Sequence, residues 1–488
     1  MKKNSLKLNA ILNIVKTLAI LLFPLITFPV VSIALGPENT GRVDFSNSFV
    51  SYFSIIASLG ISAYAIRECS ILKEDKERLE KTASEIFSIN ILTTLISYCL
   101  LALSLLVYKI GDSYRILIYI SSTTLIFNAF SCDWINYVCE EYLFVTIRTI
   151  VLKLVFVILV VIYIKSPAQT VLYTVFTVVI SNIVSILNVV FRGGKCKIRF
   201  TTKLNLKTHF KPVMILFAIN VSESVLNNLD ITMLGILEND YIVGLYGFAF
   251  KIKMMMAQLL NAVIVVFVPR CSFSYSQGDF DSFNTYFKKA FQFVVYFIIP
   301  AIIGVILISQ QIVLLFGGGK FDDSVWYLRV LSFSLAIASF GTYLVGNLFL
   351  IPAKHEIKYM VASLAGMAVN VVLNFILIPL FGGIAAAITT CISELVMMLF
   401  MIWHMDKRIK VSGIKKTILN SIIALSLMIG IFILLNTLAL SLWIRTTISI
   451  IVCSLFYYLV LYVIKDEFII EFTRLAIQRV ISIKHRLI

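Results

Sequence analysis

Charge is scarce in this chain: of 488 residues only 14% are Asp, Glu, Lys or Arg, while 60% are apolar. So few charges cannot clothe a water-solvated globular surface, which excludes a soluble enzyme and a disordered regulator alike. The eight cysteines, from Cys69 to Cys453, are scattered and form no CxxC pair, so they read as small apolar residues rather than a disulfide framework. Only four histidines occur, at 209, 355, 404 and 485, too far apart to suggest a metal site. HExxH, GxSxG and GxGxxG are missing, and Gly317-Gly318-Gly319-Lys320 lacks both the spacing and the following Ser or Thr of a nucleotide loop. Neither a cofactor nor an enzymatic activity is expected.

What is abundant is apolar run length. Segments of eighteen or more mostly apolar residues cross about 30 Å of hydrocarbon at about 1.5 Å per residue. Fourteen can be drawn, at 10–35, 43–66, 84–108, 114–137, 143–164, 168–191, 212–236, 241–268, 287–316, 324–350, 359–381, 382–404, 417–440 and 443–464. Met1-Lys2-Lys3 ahead of the first run imitates a signal peptide, but that run is too long, contains Lys16 and Pro24, and lacks a small-residue cleavage site. It reads as a retained first helix. Lys and Arg fall unevenly about the spans: 31 on the side of both termini, six on the other and five within spans. Basic loops resist translocation, so both termini are expected in the cytoplasm, and the net charge of +16 reflects topology rather than nucleic-acid binding.

Residues 192–211 hold seven basic and no acidic side chains, a linker suited to an anionic leaflet. They divide the chain into six-span halves, 1–191 and 212–404, followed by two further spans in 405–464 and a tail, 465–488. The apolar periodicity of 466–487 suits a basic amphipathic helix at the membrane interface. An offset of 203 residues superposes Gly41 on Gly244, Phe45 on Phe248 and Arg67 on Arg270. Together with equal span numbers, this suggests parallel repeats that hold a substrate between them. The expected fold is an all-α polytopic membrane protein of about fourteen transmembrane helices, two six-helix halves and two C-terminal helices.

Several segments resemble one family. They are LGPENTG at 35–41, GIxxxAxRE at 60–68, DWxxxxxEEY at 133–142 with Arg148 and Lys153, DITMLG at 230–235, AFK at 249–251, LFGGGKF at 315–321 with LRVLS at 328–332, and NVVLNFILIPLFGGIAAAITTCISE at 370–394. Taken in order, they are similar to the oligosaccharide flippases of the Wzx type, within the superfamily of multidrug exporters and peptidoglycan-precursor flippases. Cys139 departs from the pattern, standing where a glycine is usual before the acidic pair. The resemblance implies movement of undecaprenyl-pyrophosphate-linked oligosaccharide from the inner to the outer leaflet of a bacterial cytoplasmic membrane by alternating access, for O-antigen or other polysaccharide biosynthesis. The implied partners are that substrate, membrane lipid and the glycan polymerase of the same pathway; nucleic acid is not among them. Two other readings stay open: a drug or cation antiporter of the same superfamily, and a membrane-embedded glycan polymerase or glycosyltransferase, which would need a sizeable outer domain.

A charge at mid-bilayer costs about 2.5–3.5 kcal/mol on insertion scales, so each needs a partner, a cavity or a function. Lys153, Glu223, Lys251, Lys253 and Glu394 fall near the midplane, Asp230 and Arg329 nearer the outer end, and Lys16, Asp133 and Arg148 nearer the inner. At about 100° per residue, Lys251 shares a face with Gly244, Gly247, Gln258 and Asn261, whereas Lys253 points to an apolar face with Phe250, Ala257 and Leu260. Polar stripes run through Asn220, Glu223, Asn227 and Asp230; through Asn47, Ser51, Ser54 and Ser58; through Thr146, Thr149 and Lys153; and through Asn370 and Asn374. Ammonium groups suit a pyrophosphate, and amides and hydroxyls suit sugars. The candidate substrate-binding set is therefore Lys153, Lys251, Arg148, Lys16, Arg42, Asn227, Asn370 and Asn374, and the candidate ion-coupling set is Glu223, Asp230 and Glu394. Salt bridges from the lysines to Glu223 or Glu394, snorkelling, and interhelical packing of the uncharged stripes are the competing explanations. Pro24, Pro29 and Pro300 are candidate bends.

Overall fold

The computed structural model describes residues 6–107, 111–193, 196–202, 206–406, 408–409, 412–475 and 478, and its regular structure is entirely helical. Hydrocarbon offers no hydrogen bonds to the backbone, and a helix satisfies its own. Among the described residues, twelve helical segments are long and apolar enough to span a membrane. One of them, Val15–Ile71, covers the first two expected spans. Most of it belongs to α1 (Leu6–Ser58), whose two limbs meet at a kink on Gly36 with φ 74°. Pro24 and Pro29 lie inside the first limb without breaking it. The kink needs a positive φ, which glycine adopts freely, and Pro37 then starts the second limb where its missing N–H is not needed.

The chain continues through α2 (Ile61–Ile71), α3 (Lys76–Val107), α4 (Asp112–Ser131), the short α5 (Trp134–Val138), α6 (Tyr142–Tyr163) and α7 (Thr170–Gly193). The seventh expected span is α8 (Leu206–Leu237), followed by α9 (Asp240–Ser276) and α10 (Phe280–Phe293). A π-helical turn, Val294–Ile298, leads into α11 (Ile299–Leu307), and Pro300 sits in the first turn of that helix. Then come α12 (Ser309–Gly317), α13 (Ser324–Ala338) with a π-helical continuation to Leu350, α14 (Glu356–Phe381), α15 (Gly383–Trp403), α16 (Ile414–Asn436) and α17 (Leu442–Val463).

Contacts gather the chain into two compact units. The first comprises Met1–Ile252, Leu314–Tyr327 and Met367–Thr389. Within it α1 packs along α3, α4, α6 and α8, and α4 packs along α7. Leu95, Leu103 and Leu106 of α3 and Ile158 and Ile162 of α6 are exposed, as expected of side chains that face lipid. The second unit comprises Lys253–Val313, Leu328–Gly366 and Thr390–Ile488. Its core joins Tyr296, Phe432, Tyr457, Leu461 and Ile469. Asp466, 4% exposed, accepts hydrogen bonds from Tyr296 Oη and from Asn420 Nδ2 at 2.9 Å, and caps the N–H of Phe468 at 3.1 Å. It thereby starts the helical residues 467–475. In the tail expected to be amphipathic, 476–477 and 479–488 lie outside the described residues. Between α15 and α16, the Arg408 guanidinium lies 4.3 Å from the Phe280 ring centroid and grips both oxygens of Asp406, holding that carboxyl down to about 2.

Candidate functional site

The first unit contains a close crossing of α1 and α9. A Cβ on Gly41 would stand 1.9 Å from the carbonyl oxygen of Asp240, and one on Gly244 would stand 1.9 Å from that of Pro37. Only glycine permits this approach. The two contacts are reciprocal under the 203-residue offset, which carries residue 37 to 240 and 41 to 244. At the same place Arg42 Nε bonds Asp240 Oδ2 at 2.7 Å, and Tyr114 Oη donates to Asp240 Oδ1. Arg42 is thus held by a protein carboxylate.

About one turn along, the same offset pairs Asp44 with Gly247, and a Cβ on Gly247 would meet Asp44 Oδ2 at 2.4 Å. Asp44 bonds Lys251 Nζ at 2.7 Å through Oδ1 and 2.8 Å through Oδ2. The carboxylate is 8% exposed and the lysine 39%. The Lys251 ammonium also lies 5.9 Å from the Phe28 ring centroid, and Phe28 packs on Phe248. Lys251 is therefore neutralised by Asp44. Asp44 escaped the sequence reading although it continues the Asn47, Ser51, Ser54 and Ser58 stripe one turn earlier. Lys251 meets α1 on the same face as Gly244 and Gly247, whereas Lys253 is buried elsewhere. It is 6% exposed and, within the second unit, lies in electrostatic reach of Glu394, whose buried Oε2 has no hydrogen-bond partner among the described residues.

Lys153 differs from both. It lies in α6 between Thr146, which donates to Leu12 O at 3.1 Å, and Val160, which packs into a cluster with Val31 and Leu35. The structure leaves Lys153 partly buried, and among the described residues it makes no hydrogen bond or ion pair. Arg148, one turn away, is committed: it bonds Asp133 at 3.1 Å and donates to Asn188 Oδ1, and its side chain is 5% exposed. Asn188 also links Asn136 at 3.0 Å and Ser131 at 2.7 Å. Lys16 donates to Tyr137 Oη at 3.4 Å.

Asp230, 3% exposed, is the hub of a second polar cluster in the first unit. It accepts from Tyr246 Oη and from Asn374 Nδ2, the latter at 2.6 Å. Asn374 also donates to Asn370 Oδ1 at 3.0 Å and accepts from Thr389 Oγ1. Asp230, Asn370 and Asn374, placed in two different sets from sequence, thus share one site, and Tyr246 and Thr389 complete it. The side chains of Glu223 and Asn227 lie outside the described residues. Lys320 of the GGGK run donates to Ile33 O at 2.7 Å, a cation on one of the last carbonyls of the first α1 limb.

A family model described as polysaccharide biosynthesis protein matches residues 6–274, and one described as MatE matches 216–376. The chain is 26% identical over 390 residues to a Shigella dysenteriae protein named as an O-antigen transporter, covering 78% of this chain and 95% of that one. It is 23% identical over 151 residues to lipid II flippase MurJ of Bacillus subtilis (strain 168), covering 31% and 28%. Among solved structures, lipid II flippase MurJ in an inward closed conformation superposes with a TM-score of 0.72 at 15% identity, covering 94% of this chain and 100% of that one. A multidrug resistance MATE family transporter of the MOP superfamily, inward-facing, superposes with 0.61 at 14% identity, covering 82% and 99%. These two share the fold.

Proposed function

We propose, from the premise that this chain belongs to the polysaccharide biosynthesis protein family, that it flips a lipid-linked oligosaccharide. It is a multi-pass membrane transporter of the MOP superfamily and not an enzyme. The proposed substrate is an undecaprenyl-pyrophosphate-linked glycan, carried from the inner to the outer leaflet of a bacterial inner membrane, with both termini in the cytoplasm. The observation that carries the reading is Lys153, a cation in a membrane-spanning helix with no protein partner among the described residues. Such a charge is costly unless an anion visits it, and a pyrophosphate in a partly dry site is attracted strongly. Lys251 can join only when its pair with Asp44 opens. Asp44–Lys251 and the glycine crossing tie the first helix pair of each proposed six-helix half, so rocking of halves 1–191 and 212–404 would act on them first.

We assign ion coupling to Asp230. One carboxylate ringed by the amides of Asn370 and Asn374 and the hydroxyls of Thr389 and Tyr246 offers a proton or a hard cation an oxygen-rich, buried place. The test is made in cells: deleting the chain should abolish surface glycan and leave lipid-linked glycan accumulating in the inner leaflet. Restoring it with Lys153→Gln should not rescue, although Lys153→Arg should. Full rescue by Lys153→Gln would remove the pyrophosphate role. Collapsing the proton and sodium gradients separately tests the coupling, and flipping unchanged under both would leave Asp230 as structural.

A further inference from the structure

Between the second limb of α1, α2, α3 and α4 lies a cavity of about 210 Å³, whose lining shares Ser131 and Asp133 with the Arg148 cluster above. Its polar lining includes Ser54, Ser58, Ser62, Asn90, Asn128 and Asp133, and Leu125 and Trp134 supply an apolar wall. Ser58 donates to Ile55 O at 3.3 Å, but what sets the others apart is that hydrogen-bonding capacity is left unspent on them. Hydroxyls elsewhere in these helices bond back to the carbonyl four residues earlier, as Ser32 does to Phe28 at 2.8 Å and Ser88 to Ser84 at 2.8 Å. Among the described residues the hydroxyls of Ser54 and Ser62 and the side-chain amide of Asn90 bond nothing. Asn128 uses only its Oδ1, which accepts from Ser185 at 3.2 Å, and Asp133 uses only Oδ1, on Arg148 and Asn136, leaving Oδ2. Ser62 and Asn128 are exposed and Ser54, Asn90 and Asp133 half-buried, so the cavity is accessible and these groups can bond a polar occupant that enters it.

We infer that this cavity receives one neutral sugar ring of the transported glycan. The inference rests on the lipid-linked glycan reading above. Hydroxyls and amides both donate and accept, and a free carboxylate oxygen accepts from a vicinal diol, while an apolar wall suits the C–H face of the ring. An anionic phosphate is disfavoured, because the charged group of the lining is the Asp133 carboxylate and the neighbouring Arg148 already pairs with it. A metal cation is disfavoured by that same arginine, 3.1 Å from the lone carboxylate. The volume is below the about 300–1,000 Å³ of pockets that take a drug-sized ligand, so there is room for a ring and not for an oligosaccharide. Asn90, Ser54 and Ser62 become the specificity-determining residues.

The test measures binding of the full-length protein in detergent to two probes: undecaprenyl pyrophosphate, and the same lipid bearing one hexose or N-acetylhexosamine from a panel of four. The wild type should bind at least one sugar-bearing probe about tenfold more tightly than the bare lipid. Asn90→Leu and Ser54→Val should abolish that preference while leaving affinity for the bare lipid within twofold, and Ser62→Ala, a milder change, should reduce the preference severalfold. The ratio of the two affinities guards against misfolding, because a damaged protein loses both probes together, and such a joint loss in all three variants would make the cavity structural. A preference kept in full by the variants, or a wild type that ranks every sugar-bearing probe with the bare lipid, would leave the cavity to water and overturn the inference. Failure of the wild type to bind any of the lipids would instead overturn the substrate reading on which the inference stands.

Discussion

Lys153 and Lys251 are both lysines in membrane-spanning helices, yet one has no partner among the described residues and the other shares a carboxylate. The difference sets their expected behaviour on substitution. Asp44 is the more buried member of its pair, so Lys251→Gln, which strands the carboxylate, should lower the unfolding temperature in detergent more than Asp44→Asn does. Each loss should stay below the about 3–5 kcal/mol of breaking a fully buried pair, because the lysine is 39% exposed. The double variant should recover part of the loss; strictly additive losses would show that the two charges do not interact. Lys153→Gln, by contrast, should leave stability unchanged or raise it, since it deletes an unpaired charge from hydrocarbon. The charges themselves were legible in the sequence, because a lysine in an apolar run is conspicuous. Their pairing was not: Asp44 lies 207 residues from Lys251, and helical periodicity orders residues along one helix but is silent about which helix packs beside it.

Among the elements, the α1–α9 crossing is the most constrained, because backbone meets backbone at Gly41 and Gly244. A leucine there must push a carbonyl rather than a flexible side chain. Gly41→Leu and Gly244→Leu should each cost at least the about 1–3 kcal/mol of overpacking, whereas Gly304→Leu, with nothing within 4 Å of its Cβ position, should be nearly neutral. Thermal unfolding of the three variants decides this, and equal losses at Gly41 and Gly304 would contradict the crossing. The two glycines could be matched by offset in the sequence, but that each meets the other helix at equivalent positions needed coordinates. The kink shows the reverse error. Pro24 and Pro29 drew attention to α1, yet it is Gly36 that breaks the helix, because a proline costs one hydrogen bond while only a positive φ turns the chain so sharply.

At the scale of the whole molecule, apolar run length anticipated an all-helical chain of long spans but not their number: fourteen were expected, and among the described residues twelve segments meet the length and composition of a span, one of them, Val15–Ile71, covering two of the expected ones. The grouping of those helices was not legible, since the first unit draws in Leu314–Tyr327 and Met367–Thr389 from far along the chain. Orientation rests on the 31-to-six imbalance of basic residues. Reporter fusions after residues 205 and 480 should both report cytoplasm and one after residue 320 the exterior; an external signal at 205 would invert the proposed direction of transport.

The central claim is that a lysine unpaired among the described residues of a membrane span serves an anionic lipid substrate. Purified protein in liposomes, loaded on one leaflet with undecaprenyl-pyrophosphate-linked oligosaccharide, measures it directly through the rate at which the glycan reaches the other leaflet. The account predicts flipping by the wild type, at least about a tenfold slower rate for Lys153→Gln inserted to the same level, and recovery of most of the rate by Lys153→Arg. Flipping by Lys153→Gln at the wild-type rate would contradict it.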